Sequence, residues 1–219
     1  MIRRVVDVFL STIALVLLAG PMFVIAMAVK MGSAGPILFR QRRAGWRGRQ
    51  FTMFKFRTMR QDVDPYGASP HSPKDQRLTG VGRWLRERSL DELPQLLNVL
   101  AGQMTLVGPR PLYQRQAESW TPRQRRRLEL RPGLTGYAQV YGRGELTHQQ
   151  KLELDVHYVE NRSFLLDLKI ILRTIGGLVS RSGIYETRYG DDREFETDAS
   201  ADHVTTSETE AEATDDRQA

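Results

Sequence analysis

The stretch from Val8 to Val29 has the sequence VFLSTIALVLLAGPMFVIAMAV, 22 residues without one charged side chain. As a helix with a rise of about 1.5 Å per residue it would be roughly 33 Å long, enough to cross the hydrocarbon core of a bilayer. Gly20 and Pro21 lie near its middle. Because proline removes a backbone hydrogen bond and its ring disfavours a straight helix, these two residues are predicted to form a hinge.

Basic residues flank this apolar stretch on both sides: Arg3 and Arg4 before it, then Lys30, Arg40, Arg42 and Arg43 after it. Positive flanks favour the cytoplasm, so both ends are drawn to the same side of the membrane. We therefore expect residues 1–32 to form a re-entrant helix in contact with membrane lipid, which makes the protein monotopic on the cytoplasmic face of the inner membrane. Two alternatives remain open, a plain spanning helix and a signal peptide cleaved after the Ala26-Met27-Ala28 sequence.

The charge of the chain is distributed unevenly. Its 219 residues carry a formal net charge of +6, but the stretch 190–219 holds eleven acidic residues against two arginines. That stretch has a charge of −9, so residues 1–189 carry +15. A basic body suits anionic partners, and an acidic stretch with few apolar residues is typical of disorder. We therefore expect a catalytic domain over residues 33–189 and a disordered tail over 190–219.

The chain contains no cysteine, which excludes disulfides, thiolate zinc sites and cysteine nucleophiles. Its four histidines are scattered without the spacing of metal ligands. Any metal ion is therefore expected to be held by carboxylate and phosphate oxygens, which favours Mg²⁺ as the cofactor.

Short strands and helices are predicted for the catalytic domain. Strand patterns cover two segments, 37–39 and 51–57. Four leucines follow the spacing of one helical face, with Asp91 as the residue that would cap the helix: Leu93, Leu96, Leu97 and Leu100. Further helices are expected over 122–130, 146–158 and 164–179. The predicted fold is α+β and mostly helical, with a re-entrant membrane helix, a small helical catalytic domain and a short β-hairpin.

The run Ser89-Leu90-Asp91-Glu92-Leu93-Pro94 places two adjacent carboxylates at the start of the predicted leucine helix. A carboxylate at a helix N-terminus stays ionised, because the dipole and the free N–H groups favour its charge. Asp91 and Glu92 could therefore be catalytic, attacking phosphorus or binding a metal ion. The same residues also fit an ordinary capping box, in which Glu92 lies three positions after Ser89. The residues alone leave both interpretations open.

Several basic residues could bind the phosphates of a substrate, because guanidinium groups match phosphate oxygens. Arg110 lies between Pro109 and Pro111, which would limit its backbone freedom. The other candidates are Lys55, Arg57, Arg86 and Arg143. The alternative for each is a solvated surface, as we expect for a basic stretch that contains Arg123, Arg125, Arg126 and Arg127. No recognition module accompanies these residues, so nucleic acid is not expected as a partner.

Seven stretches of the chain carry a family resemblance: Gly35–Gln41, Phe54–Met59, Ser89–Gln95 with Asn98, Gly108–Leu112, Arg131–Gly136, Gln139 with Gly142 and Arg143, and Leu154–Asn161. In this order they resemble the bacterial sugar transferase family, the monotopic polyprenyl-phosphate phosphoglycosyl transferases of the small type with an anchor and a catalytic domain. The resemblance covers roughly residues 1–185. The sequence differs from the family at the predicted hinge, where Gly20-Pro21 replaces a Ser-Pro dipeptide.

The resemblance implies transfer of a sugar 1-phosphate from a UDP-sugar to a membrane polyprenyl (undecaprenyl) phosphate, with release of UMP. It places the family's Asp-Glu dyad on Asp91 and Glu92, its phosphate-binding arginines on Arg86, Arg110 and Arg143, and its basic strand residue on Lys55. Asp91 would form a covalent aspartyl phosphosugar. This would be the first membrane step of a glycan or glycoconjugate pathway, with downstream glycosyltransferases as further partners. The alternatives are direct transfer in a ternary complex and a non-catalytic membrane-anchored protein that binds anions.

Overall fold

The apolar N-terminal stretch forms one long helix, α1, from Ile2 to Gly32, and Pro21 lies inside it. By length and composition it is able to cross a membrane. The structure, a computed structural model, describes residues 2–64, 67, 70, 72–142 and 146–180, without the side chains of 178–180. Arg143 and the predicted tail at 190–219 therefore lie outside the described residues.

A β-hairpin follows α1. Strand β1 covers Leu38–Ala44 and strand β2 covers Gln50–Phe56, and they pair antiparallel with Leu38 opposite Phe56. A 3-10 turn over Trp46–Gly48 connects them. The predicted hairpin is confirmed, although β1 extends further than the apolar pattern indicated. Its added residues include arginines whose backbone groups pair with β2.

Short helices and two further strands complete the described part of the chain. They are α2 Gly80–Arg86, α3 Gln95–Leu100, β3 Thr105–Val107, α4 Gln114–Glu118, α5 Pro122–Arg125, β4 Gly133–Thr135, α6 Tyr137–Tyr141, α7 His148–Asn161 and α8 Phe164–Ser180. Two more 3-10 turns cover Leu90–Glu92 and Arg126–Glu129. Strands β3 and β4 pair in parallel, which the sequence did not predict. The fold is α+β and mostly helical, as expected.

The acid pair does not begin the leucine helix. Helix α3 starts at Gln95, after Pro94, whereas Asp91 and Glu92 lie in a separate 3-10 turn. Ser89 precedes this turn in the left-handed conformation, with φ of 53°, and its side chain makes no capping hydrogen bond. Both predicted roles, Asp91 as the cap and Ser89 with Glu92 as a capping box, are therefore wrong.

Helix α1 packs against the rest of the protein at both of its ends. Near its start, Arg4 donates to the carbonyl oxygen of Leu100 at 2.7 Å, and Asp7 accepts a 2.7 Å hydrogen bond from Thr105. Near its end, Ile25 and Val29 join a core cluster with Phe56 and Leu85. No residue between 12 and 24 is buried. The helix is thus attached at its two ends and largely exposed in its middle, where Met22 still packs against the same cluster.

Candidate active site

Three elements bring a lysine, a glutamate and an arginine together. Lys55 comes from β2, Glu92 from the 3-10 turn, and Arg110 from the segment between β3 and α4. Nζ of Lys55 lies 2.7 Å from Oε1 of Glu92, and Nη2 of Arg110 lies 3.4 Å from the same oxygen. The side chain of Arg110 is 44% exposed, so it can contact a ligand while it faces Glu92. Two cations therefore converge on one carboxylate.

Asp91 is adjacent to Glu92 in the chain, but its side chain has different surroundings. Its side chain is buried, and it forms no ion pair with any residue that the structure describes. Arg86, at the end of α2, is close enough to lower the pKa of both Asp91 and Glu92. Within the described ranges, the guanidinium group of Arg86 has no hydrogen-bonded partner of its own. An arginine in this setting is suited to binding phosphate.

Burial is the largest influence on the pKa of each carboxylate and of the lysine. It raises the pKa of Asp91, although the charge of Lys55 opposes this, and it lowers the pKa of Lys55. Burial also raises the pKa of Glu92, but the charges of Lys55 and Arg110 outweigh it and lower the pKa to about 2. Glu92 is thus the firmly ionised carboxylate and Asp91 the more basic one. The expectation that a helix dipole keeps Asp91 ionised is wrong, because no α-helix starts there and burial disfavours the charge.

The Pro-Arg-Pro segment is fixed by its neighbours. Pro109 and Pro111 are buried, while Arg110 between them is exposed. The N–H group of Gly133 donates to the carbonyl oxygen of Pro109 at 2.9 Å. A Cβ atom on Gly133 would lie 2.1 Å from the backbone nitrogen of Gly108, so only glycine allows this approach. Two stretches that are separate in the sequence, Gly108–Leu112 and Arg131–Gly136, therefore pack directly against each other and hold Arg110 at the site.

Not every predicted phosphate ligand lies with this group. Both terminal nitrogens of Arg57 donate to backbone carbonyls that follow α1, those of Ala34 and, at 2.8 Å, of Ser33. Arg57 is buried and ties β2 to the end of the membrane helix. These contacts are structural, and Arg57 forms no hydrogen bond or ion pair with Asp91 or Glu92. Arg143 cannot be placed, because it lies outside the described residues.

The stretch predicted to be a basic surface is partly buried. Arg123 and Arg126 do lie on the surface, where both pair with Glu160. Arg127 is only 3% exposed and forms an ion pair with Asp155 of α7. The expectation of a solvated surface is therefore wrong for Arg127. Its charge is neutralised inside the protein by Asp155, which is 28 positions away in the chain.

Asn98 is a further residue of the site whose role the sequence did not reveal. It is fully buried in α3, where its Oδ1 accepts from the N–H group of Phe54 at 3.0 Å and its Nδ2 donates to the carbonyl oxygen of Thr52 at 2.7 Å. These bonds tie α3 to the strand that carries Lys55. A buried asparagine between leucines was the available signal, since a buried amide requires partners.

The site offers a metal ion two protein carboxylates rather than a complete set of ligands. No group of three or more His, Cys, Asp or Glu residues is gathered in the described part of the chain. Asp91 and Glu92 fit Mg²⁺, which is commonly bound by one or two carboxylates together with substrate phosphates and water. They do not fit a structural zinc site, which needs four protein ligands.

Comparisons with known proteins show the family of the chain. The family model for bacterial sugar transferases matches residues 1–181. EpsL of Bacillus subtilis (strain 168), an uncharacterized sugar transferase, is 47% identical over 77% of this chain and 82% of its own length. The UDP-glucose:undecaprenyl-phosphate glucose-1-phosphate transferase of Caulobacter vibrioides is 42% identical over 84% of this chain and 72% of its own length. The undecaprenyl-phosphate glucose phosphotransferase of Komagataeibacter xylinus is 41% identical over 79% of this chain but 35% of that protein.

The chain belongs to the bacterial sugar transferase family. It is an enzyme of the phosphoglycosyl transferase class. The matched residues include α1 and all the described members of the site, Lys55, Arg86, Asp91, Glu92 and Arg110.

Proposed function

We propose that the enzyme transfers a sugar 1-phosphate from a UDP-sugar to undecaprenyl phosphate and releases UMP, with Asp91 as a covalent nucleophile. Two of the relatives are named for transfer of glucose or glucose 1-phosphate with undecaprenyl phosphate, so UDP-glucose is the first donor to test. The observation that carries the proposal is the adjacent pair of the buried Asp91 and Glu92, around which lie three cations that are suited to a diphosphate, Lys55, Arg86 and Arg110.

The contrast between the two carboxylates supports a different role for each of them. Glu92 is paired with Lys55 and Arg110, which leaves it ionised but engaged. Asp91 has no such pairing, and its raised pKa marks it as the more basic group. A carboxylate with few water molecules around it is a stronger nucleophile once it is ionised, because less solvation must be removed during attack. Glu92 instead keeps Lys55 and Arg110 in place next to the incoming phosphates.

The proposed reaction has two steps. An oxygen of the Asp91 carboxylate attacks the β-phosphorus of the UDP-sugar, and the bond between that phosphorus and the bridging oxygen breaks. UMP leaves with the electron pair. A phosphate oxygen of undecaprenyl phosphate then attacks the phosphosugar phosphorus, and the Asp91 carboxylate leaves. Arg86 and Arg110 stabilise the charge that develops on the phosphoryl oxygens in both steps.

Asp91 and Glu92 are the residues that would hold Mg²⁺ in this site. A bound magnesium ion would neutralise part of the diphosphate charge, which the two carboxylates would otherwise repel. Lys55, Arg86 and Arg110 supply the protein's own share of that neutralisation.

Substitution of Asp91 tests the proposal directly. Asp91→Asn should abolish UMP release from UDP-glucose, because an amide does not attack phosphorus, while the melting temperature stays close to that of the wild type. Intact-mass measurement of the wild type with UDP-glucose alone should show a phosphosugar adduct that Asp91→Asn lacks. Asp91→Asn with more than about a tenth of wild-type turnover would remove the nucleophile role. Turnover that depends on both substrates, without any adduct under trapping conditions, would favour direct transfer in a ternary complex.

We also propose that α1 is a re-entrant membrane helix and that the enzyme lies on the cytoplasmic face of the membrane. The 31 residues of α1 would extend about 46 Å, yet Arg4 near its start and Val29 near its end both contact the same domain. A straight span would carry one of these ends to the other side of the membrane. The exposed side chains in the middle of α1 are apolar and suit lipid. Helix α8 adds exposed apolar residues on one face, Leu165, Leu168, Leu172 and Ile175.

Cysteine labelling tests this topology cleanly, since the native chain has no cysteine. Ile2→Cys should resist an impermeant maleimide in intact cells and react after lysis, as Ser72→Cys in the catalytic domain should. Pro21→Leu in the Ile2→Cys background should expose a fraction of molecules, because the helix then regains the missing hydrogen bond and favours a straight span. Ready labelling of Ile2→Cys in intact cells, with Ser72→Cys protected, would establish an ordinary spanning helix.

A further inference from the structure

We propose that the buried ion pair of Arg127 and Asp155 positions Arg110, so that both residues serve the reaction without touching substrate. The inference rests on the proposed function, in which Arg110 binds the transferred phosphate. Neither residue was a candidate for the site from the sequence.

The contacts run from the ion pair to the backbone of Arg110. Nη2 of Arg127 lies 2.6 Å from the carbonyl oxygen of Arg110 and 2.5 Å from Oδ2 of Asp155. The backbone N–H group of Arg110 in turn lies close enough to Asp155 to lower the pKa of that carboxyl. The carbonyl oxygen of Arg110 is therefore bonded directly to the pair, and its N–H group lies nearby.

The neighbouring prolines restrict the backbone of Arg110, so its bond to Arg127 is enough to fix the segment. Pro111 has a fixed φ and restricts the conformation of the residue before it, and Pro109 is held by Gly133. Once Arg127 fixes the carbonyl group of Arg110, little backbone freedom remains in the segment. The side chain is then directed to Glu92, where Nη2 of Arg110 lies 3.4 Å from Oε1.

The burial of the pair favours a positioning role over a stabilising one. Arg127 and Asp155 are 3% and 2% exposed, and the guanidinium group lies 4.7 Å from the centre of the Trp120 ring. Two charges taken out of water lose hydration that their attraction only partly restores, so an apolar pair would often stabilise a fold as well. What the apolar pair would lack is a donor for the Arg110 carbonyl oxygen. Arg123, in the same stretch, pairs with Glu153 and Glu160 at the surface and forms no hydrogen bond or ion pair with Arg110.

A double-mutant cycle tests the inference, with kcat and KM for UDP-glucose and undecaprenyl phosphate as readouts. Asp155→Asn and Arg127→Lys should each lower kcat/KM by about 10- to 100-fold, since small misplacement of a binding group has costs of that order. In the Arg110→Ala background the same substitutions should change kcat/KM by less than about threefold, because the group that they position is gone. Arg123→Gln is the matched control and should leave kcat/KM unchanged.

Each outcome decides the inference. Full additivity with Arg110→Ala, or wild-type kcat/KM in both single variants, would overturn it. If Asp155→Asn fails to fold, Arg127→Lys carries the cycle, because it keeps the positive charge and loses only the fork of donors. A wild-type enzyme that releases no UMP from any UDP-sugar would instead contradict the proposed function.

Discussion

Asp155 gives a prediction at the scale of a single residue. Burial raises its pKa from 3.8 to about 6, against the charge of Arg127. The folded protein therefore binds this proton more tightly than the unfolded chain does, so the free energy of unfolding should rise as the pH falls from above 6 towards 3.8. The total effect is about 3 kcal/mol, of which about 1.4 kcal/mol appears between pH 7.5 and pH 5.

Thermal unfolding of the wild type and of Asp155→Asn at these two pH values measures this effect. The difference in melting temperature between the two proteins should shift in favour of the wild type at the lower pH, since the asparagine does not titrate. An unchanged difference would mean that the carboxyl group keeps an ordinary pKa in the folded protein.

Single residues also show where inference from sequence ends. The sequence indicated that Asp91, Glu92, Arg110 and Lys55 belong to one site, and their positions in the structure agree. It could not distinguish the two carboxylates, because their pKa values depend on Lys55, which is 37 positions away from Glu92. The burial of Arg127 could not be predicted either, because in the sequence it is one of four arginines in a polar stretch.

At the scale of elements, helix α2 gives a prediction through its two glycines. A Cβ atom on Gly82 would lie 2.0 Å from the carbonyl oxygen of Thr58, whereas a Cβ atom on Gly80 would meet nothing within 4 Å. Gly82→Ala should therefore destabilise the protein by about 1–3 kcal/mol and displace Arg86, which lowers kcat/KM. Gly80→Ala is the matched control and should be neutral or slightly stabilising.

Chemical denaturation and steady-state kinetics on both variants check this prediction. Equal stability of the two variants would contradict the close contact between α2 and the strand that precedes Thr58.

The elements that the sequence predicted are those with a clear pattern. The hairpin, α7 and α8 have alternating, capped or strongly apolar sequences, and each is confirmed. Strands β3 and β4 were missed because each has three residues, too few for any periodicity, and their parallel pairing joins positions 28 apart. The start of α3 was misplaced because the spacing of the leucines continues through a 3-10 turn that ends before Pro94.

The whole enzyme should depend on Mg²⁺, because two carboxylates and a diphosphate bring more negative charge together than the nearby cations balance. Treatment with EDTA should abolish UMP release, and added MgCl₂ should restore it. Full activity after rigorous chelation would show that Lys55, Arg86 and Arg110 are sufficient without a metal ion.

The attachment of α1 at both ends affects how a water-soluble version could be made. Deleting the helix would remove Ile25 and Val29 from the cluster that contains Phe56 and Leu85, and would leave these two side chains facing water on the strand and helix that carry Lys55 and Arg86. Truncation would therefore damage the active site along with the anchor. Polar replacements on the outward face of α1, at Val16, Leu17, Phe23 and Val24, would reduce its affinity for lipid and keep the inner contacts intact. The helix is thus a structural part of the catalytic unit, and solubility has to be engineered on its surface.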